Sequence, residues 1–391
     1  MLRLLHTADV HLGARHADLG EQAAAQRERQ LAAFVATIDL AIAEKVDLVL
    51  IAGDLFDSNT QPRRSVERVA AELRRLGAAR IRTVLIPGTH DVYDRSSLYR
   101  VHDLKALAGS AEDDDLVTVL TPDRGVIHLP ACDVIVHGTV FATKRAPYSP
   151  LRDLRVTRAD GATWQVGLVH GALAIPGKTD SDEVVVSREE IAATGLDYLA
   201  LGHWHSTQRG KAGGTTYAYS GAPEPVAVSQ DGAGKVLLVT LEETAGSRIV
   251  EIEERTVGRT RFDQLEIDTG TVPDQPSLER RIAVLADPNL VLDVRLTGVR
   301  PDDLDVSVEE VEERLQTAFL KLRVRDLSRA ALTEGSLPPA DTIAGAFIRN
   351  VEGRIAELEA DGSDGAATSA AELRDALRLG RLLLAGHEVT L

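Results

Sequence analysis

The sequence predicts an α/β sandwich followed by a smaller α+β unit and a helical end. Three observations predict it: strand-like runs alternate with helical patterns at the start, later strands have few long helices between them, and the pattern resets near residue 258. The first run, Leu2 to Thr7, precedes a helical pattern from about Ala24 to Ala43. Asp47 to Ala52, a helix near Ser65 to Leu76, and Thr83 to Ile86 continue the alternation, which signals βαβ units and a largely parallel sheet. Further strands read at Asp133 to Val140, Gln165 to Val169, Tyr198 to Leu201, Thr216 to Ser220, Val236 to Thr240 and Ile249 to Glu253. With so few helices between them, this half is expected to be more antiparallel. Phe262 to Ile267, a helix near Ser277 to Leu285, and Leu290 to Leu296 make the small α+β unit. After Pro338-Pro339, helices over Ala344 to Leu358 and Ala370 to Leu384 flank a loose Gly/Ser/Ala spacer at 361–367. The expected domains are 1–257, 258–340 and 341–391.

At 391 residues the chain exceeds what one hydrophobic core supports, which favours several units. Hydrophobic residues at 44% and charged residues at 27% are ordinary for a globular chain able to bury a large core. The single Cys132 excludes an internal disulfide and a cysteine-based zinc site. No apolar leader precedes Leu2-Arg3-Leu4-Leu5, and no stretch approaches the roughly 20 apolar residues of a membrane span. A cytoplasmic protein with no membrane partner is expected. The 44 Lys and Arg face 60 Asp and Glu, a net charge of -16, which argues against broad electrostatic adhesion to DNA or membranes. Any polyanion must be met by bound cations, a local Arg-rich surface or a partner.

The chemistry-bearing residues fall just after predicted strands, where side chains from neighbouring strand ends converge above an α/β sheet. Asp9-Val10-His11 follows the first strand, and an i, i+2 pair in extended chain points both side chains to one side. Alone, such a pair is as readily an exposed polar turn. Gly53-Asp54 follows Leu48 to Ala52, and a carboxylate there is costly unless something binds it. Pro87-Gly88-Thr89-His90-Asp91 follows Thr83 to Ile86, His170-Gly171 follows Gln165 to Val169, and Gly202-His203-Trp204-His205 follows Tyr198 to Leu201. A single histidine at a strand end is usually structural; its recurrence at so many is what carries weight. Asp9, His11, Asp54, His170, His203 and His205 are imidazole and carboxylate donors with no thiolate, a set that suits Mn, Fe or Zn better than Ca or Mg. Two ions roughly 3.5 to 4 Å apart suit in-line displacement at phosphorus.

These spaced motifs, Asp-x-His, Gly-Asp, Gly-Thr-His-Asp, His and Gly-His-x-His, resemble those of the calcineurin-like metallophosphoesterases over about residues 4–224. Within that superfamily His6-Thr-Ala-Asp-Val-His-Leu-Gly13, Ala52-Gly-Asp-Leu-Phe-Asp57 and Tyr219-Ser-Gly-Ala-Pro223 look like the SbcD-type DNA repair exonucleases. The resemblance implies a four-layer α/β/β/α sandwich, a small α+β capping domain, and C-terminal helices that bind an SbcC-type coiled-coil ATPase. It implies two divalent ions, most readily Mn, with Fe, Zn or Mg as alternatives. Asp9, His11 and His205 would bind the first, Asp54 would bridge, and His170 and His203 would complete the second. His90 would be the general acid, oriented by Asp91. Thr89 departs from the family's Asn, whose side-chain carbonyl ligates the second ion, and a threonine hydroxyl is a shorter, poorer ligand.

Weaker candidates surround these. Asp57 and Asn59, close after Asp54, could reach solvent near the metals and the DNA backbone, though a turn role reads first; Tyr219 and Ser220 read as strand-end packing or site lining. Arg63, Arg64, Lys144, Arg145, Arg152 and Arg155 are candidate phosphate contacts, though cations on solvated faces are commoner. Leu373, Leu377, Leu379, Leu382, Leu383 and Leu384 make the last helix more apolar than a surface helix needs, which favours a partner helix or the chain itself. The expected function is a DNA exonuclease and endonuclease acting in repair with that ATPase, with a homodimer as a further possibility. The competing readings are a phosphoesterase for cyclic nucleotides or phosphomonoesters, and a structural subunit whose activity has faded through Thr89.

Overall fold

The computed structural model describes residues 1–391 except 112–113, 147, 158–160, 176–183, 226–231, 302–303, 331–337, 340, 362 and 385–391. The chain divides into two compact units, Met1–Arg261 and Phe262–Leu391.

The first unit opens with β1 (Leu2–Thr7), α1 (Ala23–Ala43), β2 (Leu48–Ala52), α2 (Arg63–Ala78) and β3 (Arg82–Ile86). Two single turns, α3 (Leu98–Val101) and α4 (Leu104–Leu107), lead to β4 (Val117–Val119). β1 to β4 pair in parallel, so the chain leaves each of them at one edge of the sheet. A second sheet takes β5 (Val126–Leu129), β6 (Val134–Thr139) and β7 (Trp164–His170). The short pair β8 (Ala172–Leu173) and β9 (Val185–Val186) follows, then α5 (Arg188–Thr194). β10 (Tyr198–Gly202), β11 (Gln208–Ala212) and β12 (Thr215–Tyr219) complete the second sheet, and the hairpin β13 (Lys235–Thr244) and β14 (Ser247–Thr256) returns to the first. The two orders are β14-β13-β1-β2-β3-β4 and β11-β12-β10-β7-β6-β5.

The expectation of a more antiparallel second half is corrected for the second sheet. β6, β7, β10 and β12 are parallel to their neighbours, and only the edge strands β5 and β11 run antiparallel. Helix α5 is a single crossover between β7 and β10, too short to register as a long helical pattern. The antiparallel reading holds for β13 and β14.

Side-chain packing makes four layers. Leu4, Leu50 and Val84 from the first sheet meet Val136, Leu168 and Tyr198 from the second in the central core. On the far side of the first sheet, Leu5, Val49 and Ile51 pack against Phe34 and Ile38 of α1 and Val69 and Leu73 of α2. Ile191 of α5 covers Val169, Leu199 and Leu201 on the far side of the second. Each sheet thus buries both faces, which its near-continuous apolar strands require.

β15 (Arg261–Asp268) leads into the second unit, which continues through α6 (Gln275–Ala283), β16 (Asp287–Thr297), β17 (Val299–Arg300), α7 (Val308–Leu315), β18 (Phe319–Asp326) and β19 (Arg329–Ala330). β15, β16 and β18 form a sheet in that order, and Leu292, Val294, Leu322 and Val324 pack with Leu278 and Ile282 of α6 and Val311 of α7. The chain ends in α8 (Ile343–Asp361) and α9 (Asp364–Leu384). The loose spacer expected at 361–367 is corrected: α8 reaches Asp361 and α9 starts at Asp364, with the Ala367 N–H bonded to the Ser363 carbonyl at 2.9 Å. Ion pairs Arg374–Glu359 and Arg381–Glu352 fold the two helices back on one another. Leu373, Leu377 and Leu379 are half-buried, and Leu383 and Leu384 are exposed. The side chain of Leu382 and the 385–391 part of the expected C-terminal segment lie outside the described residues. Among the described residues, no helix is long and apolar enough to cross a membrane.

Candidate metal centre

The parallel strands hand over to turns at one edge, and the singled-out side chains sit in those turns. φ is 54° at Asp9, 50° at His11, 50° at Asp54 and 103° at His203. Non-glycine residues rarely adopt such angles, at a cost of order 1–3 kcal/mol each. Four of them together mark a geometry that the surrounding fold imposes. The extended Asp9-Val10-His11 expected from the spacing is therefore corrected. β1 stops at Thr7, and the side chains converge through left-handed turns pinned by Asp9 N–H to the Gly53 carbonyl (3.1 Å) and His11 N–H to the Asp54 carbonyl (3.0 Å).

The two sheets close on each other at this edge. A Cβ on Gly202 would lie 1.9 Å from the Ala52 carbonyl oxygen, and a Cβ on Gly88 would lie 2.2 Å from Asp54 Oδ1. Only glycine permits both approaches.

Three groups of donor atoms result: Asp9, His11 and His205; Asp9, Asp54 and His170; and His11, Asp57 and His90. Within each group the donor atoms lie within 4.8 Å of one another. Ligands held about 2.1 Å from one ion lie up to about 4.2 Å apart, so the spacing is near that of a coordination shell. Asp54 Oδ2 lies 3.3 Å from His170 Nε2 and 3.9 Å from His11 Nε2, between the two imidazoles. His11 Nε2 and His205 Nε2 face each other at 3.1 Å. His170 Nδ1 donates to the Ala52 carbonyl at 2.9 Å, which turns Nε2 toward Asp54 and Thr89. The Thr89 hydroxyl donates to Asp54 Oδ2 at 3.3 Å and lies 3.5 Å from His170 Nε2, inside the same group. The His203 N–H donates to both Asp9 carboxylate oxygens at 3.0 Å, and its ring packs edge-on to His170 with centroids 5.4 Å apart.

Asp9, His11, Asp54 and His170 are buried. Burial, opposed by His170 and reinforced by the Asp54 charge, pushes the Asp9 carboxyl up to about 6. Burial also works to raise Asp54, but His170, His11 and the His90 N–H outweigh it and hold that carboxyl far below the usual range. For His170 burial works downward, and the Asp54 and Asp9 carboxylates reverse it, carrying the imidazole up to about 10. Buried carboxylates that hold a proton on histidine so firmly demand positive charge. A nitrogen and oxygen donor set of this kind satisfies divalent cations, so the residues present fit a dimetal centre.

His90 stands at the rim, its side chain 48% exposed. Its N–H donates to Asp54 Oδ1 at 2.7 Å, its Nδ1 faces the Asp57 carbonyl oxygen at 3.1 Å, and its ring meets His11 edge-on at 4.6 Å. Asp91, expected to orient His90, bonds the turn that carries it and not its ring. Buried Asp91 accepts from the Gly88 N–H (2.7 Å), the Phe56 N–H (3.1 Å) and the Tyr99 hydroxyl (2.6 Å), which locks the 88–91 turn against the 54–56 turn. Asp57 is what meets His90, and its Oδ1 also lies 3.3 Å from His11 Nδ1. The three-residue offset from Asp54 was the available signal for Asp57; Tyr99 offered none.

The weaker candidates separate. Asn59 bonds the Val92 carbonyl (2.8 Å) and the Leu98 N–H (3.1 Å), a turn role. The Tyr219 hydroxyl donates to the Gly171 carbonyl at 2.8 Å and its ring stacks on Trp204 at 4.8 Å, while Ser220 Oγ donates to the Gly221 carbonyl at 3.1 Å. Arg63 pairs with Glu67, Arg152 lies over Tyr148, and Arg155 donates to the Leu154 carbonyl. Arg64, Lys144 and Arg145 are exposed.

A family model described as calcineurin-like phosphoesterase matches residues 2–207. The DNA double-strand break repair protein Mre11 of Aeropyrum pernix is 30% identical over 280 residues, covering 69% of this chain and 64% of that protein. The protein of the same name from Halobacterium salinarum is 25% identical over 80% of this chain and 74% of its own length. An uncharacterized metallophosphoesterase of Bacillus subtilis, YhaO, is 26% identical over 53% of this chain and 49% of its own.

Proposed function

Because this chain belongs to the calcineurin-like phosphoesterase family, whose members hydrolyse phosphoester bonds at a dimetal centre, we propose that it is a phosphodiesterase that cuts DNA as an exonuclease and endonuclease in repair. The observation that carries the hydrolytic reading is the shared cluster of Asp9, Asp54, His11, His170 and His205 at one sheet edge. The DNA reading is supported by two relatives named as DNA double-strand break repair proteins. The protein works in the cytoplasm, where its DNA would be.

Asp9, His11 and His205 would hold one ion, His170 and His203 the other, and Asp54 would serve both. Manganese suits this donor set. When bound, two divalent cations supply an ionised water and neutralise charge on the phosphate oxygens. The protein's own contribution is positioning and proton delivery. Asp57 holds Nδ1 of His90, leaving Nε2 to give a proton to the departing sugar oxygen as the P–O bond breaks. Asp91 acts one step back, keeping the turn that carries His90 in place. The exposed end of α9, with Leu383 59% exposed, is where a coiled-coil ATPase of SbcC type would dock.

Purified protein with Mn is expected to degrade linear duplex DNA with free ends. Hydrolysis of cyclic nucleotides with no cleavage of DNA would remove the nuclease reading and leave the small-substrate one. Thr89 carries a second prediction, because its short hydroxyl reaches Asp54 and His170 where a carbonyl donor would serve better. Thr89→Asn is expected to tighten binding of the second ion by on the order of tenfold, read by calorimetric Mn titration. Superimposable titrations would show that Thr89 is no deficit.

A further inference from the structure

We propose that a cavity at the end of the first unit opposite the metal centre binds a small organic phosphomonoester, with its phosphate on Lys45 and Arg80 and its carbon-rich body on an apolar wall.

The cavity has a volume of about 480 Å³ and lies where α1 and α2 hand over to β2 and β3, against the Pro130–Cys132 turn. The metal-bearing turns follow the far ends of β2 and β3, each strand five residues long, so the two places are roughly 16 Å apart.

Lys45 and Arg80 occupy equivalent positions, each one residue past the C-cap of its helix, with φ 50° and 61°. The backbone closes on itself around both. The Lys45 and Val46 N–H groups donate to the Ile42 and Ala41 carbonyls, each at 3.2 Å. The Arg80 and Ile81 N–H groups donate likewise to the Gly77 and Leu76 carbonyls, at 2.9 and 3.0 Å. These carbonyls take backbone donors, so neither basic side chain is needed as a cap. Glycine is the usual occupant of such a left-handed position, and here two long cations hold it.

Neither side chain makes an ion pair or hydrogen bond with any described residue. Glu44, beside Lys45, is taken by Arg3 and Arg255 at 3.0 and 3.2 Å. Arg82 also lines the cavity, with its charge met by Asp115 at 2.8 Å. Asp47 is the one carboxylate in the lining, and it accepts the Arg3 N–H at 2.9 Å. Two uncommitted cations therefore face one carboxylate, which suits a doubly charged phosphate. The rest of the wall is largely apolar, formed by Ile42, Val46, Ile81 and Cys132. A bare inorganic anion would fill a small part of the 480 Å³, whereas a phosphate carrying a ring system meets both kinds of wall.

The test uses the full-length protein in EDTA, so that phosphate cannot bind through metal. Deoxyadenosine 5′-monophosphate, inorganic phosphate and deoxyadenosine are titrated calorimetrically into the wild type and into Lys45→Gly/Arg80→Gly and Lys45→Gln/Arg80→Gln. Glycine relieves the left-handed strain while loosening the unfolded chain, so the first pair is expected to melt close to the wild type. The monophosphate is expected to bind the wild type at least about tenfold more tightly than it binds either pair, and more tightly than inorganic phosphate does. Deoxyadenosine is expected not to bind, and hydrolysis of bis(4-nitrophenyl) phosphate with Mn is expected to stay at the wild-type rate in both pairs. No binding to the wild type, or equal affinity in the wild type and both pairs, would overturn the inference. Inorganic phosphate bound as tightly as the monophosphate would overturn the role given to the apolar wall. Uncharged deoxyadenosine bound equally by all three proteins would overturn the role given to the cations.

Discussion

Asp54→Asn is expected to leave a folded protein with hydrolysis reduced by three orders of magnitude or more and the metal pair lost or much weakened. Its carboxylate Oδ2 is within 3.3 Å of His170 Nε2 and 3.9 Å of His11 Nε2, and Oδ1 accepts the His90 N–H at 2.7 Å. An asparagine oxygen can still accept that N–H, so the turn survives. What vanishes is the negative charge between the two imidazoles. Loss of a supporting group outside the coordination shell weakens metal binding by about 10–100-fold, so loss of a shared charged donor is expected to exceed that range. Without metal the variant is expected to melt below the wild type, because His170 and His11 lose the carboxylate charge that lies between them. Metal content by mass spectrometry and a thermal melt in EDTA separate the two effects. Full occupancy by two ions in the variant would refute the bridging position.

His90→Ala is expected to behave in the opposite way, with metal retained and turnover on DNA lowered by about 10²–10⁴-fold, the usual contribution of a positioned general acid. Retention follows from geometry. The contact between residue 90 and Asp54 is made by the backbone N–H, which alanine keeps, and the side chain stands at the rim on Asp57. The leaving group supplies a sharper criterion than the rate alone. A departing sugar alkoxide needs a proton, whereas nitrophenolate leaves without one, so bis(4-nitrophenyl) phosphate hydrolysis should fall far less than DNA cleavage. Equal losses on both substrates would indicate damage to the metal centre, and unchanged cleavage of DNA would refute the acid role.

Much of this was legible in the residues. The opening βαβ alternation survives nearly to the residue, from Leu2–Thr7 to Arg82–Ile86, because apolar, β-branched runs buried on both faces leave little else for the chain to do. The motif residues also proved to be neighbours: Asp9 meets His203 across 194 positions and His170 meets Ala52 across 118. Two side chains point where their place in the chain does not say. Asp91 follows His90 directly and was expected to steer it, yet it turns inward to Phe56 and Tyr99. Asp57 read first as a turn residue, with a place near the metals as the alternative, and it faces both His11 and His90. Adjacency in the chain says little about which side chain points where once a left-handed turn intervenes.

By itself the sequence determined the types of residue at the strand ends, the order of the strands that carry them, and hence the donor chemistry. Those properties are local, encoded in burial pattern and composition over a few residues at a time. Only the tertiary structure decided how the donors group. The approach of Ala52 to Gly202, the left-handed turns at Asp9, His11 and Asp54, and the direction of Asp57 all depend on two sheets packing face to face. Packing of that kind is a balance among contacts far apart in the chain, and no short stretch of sequence contains it.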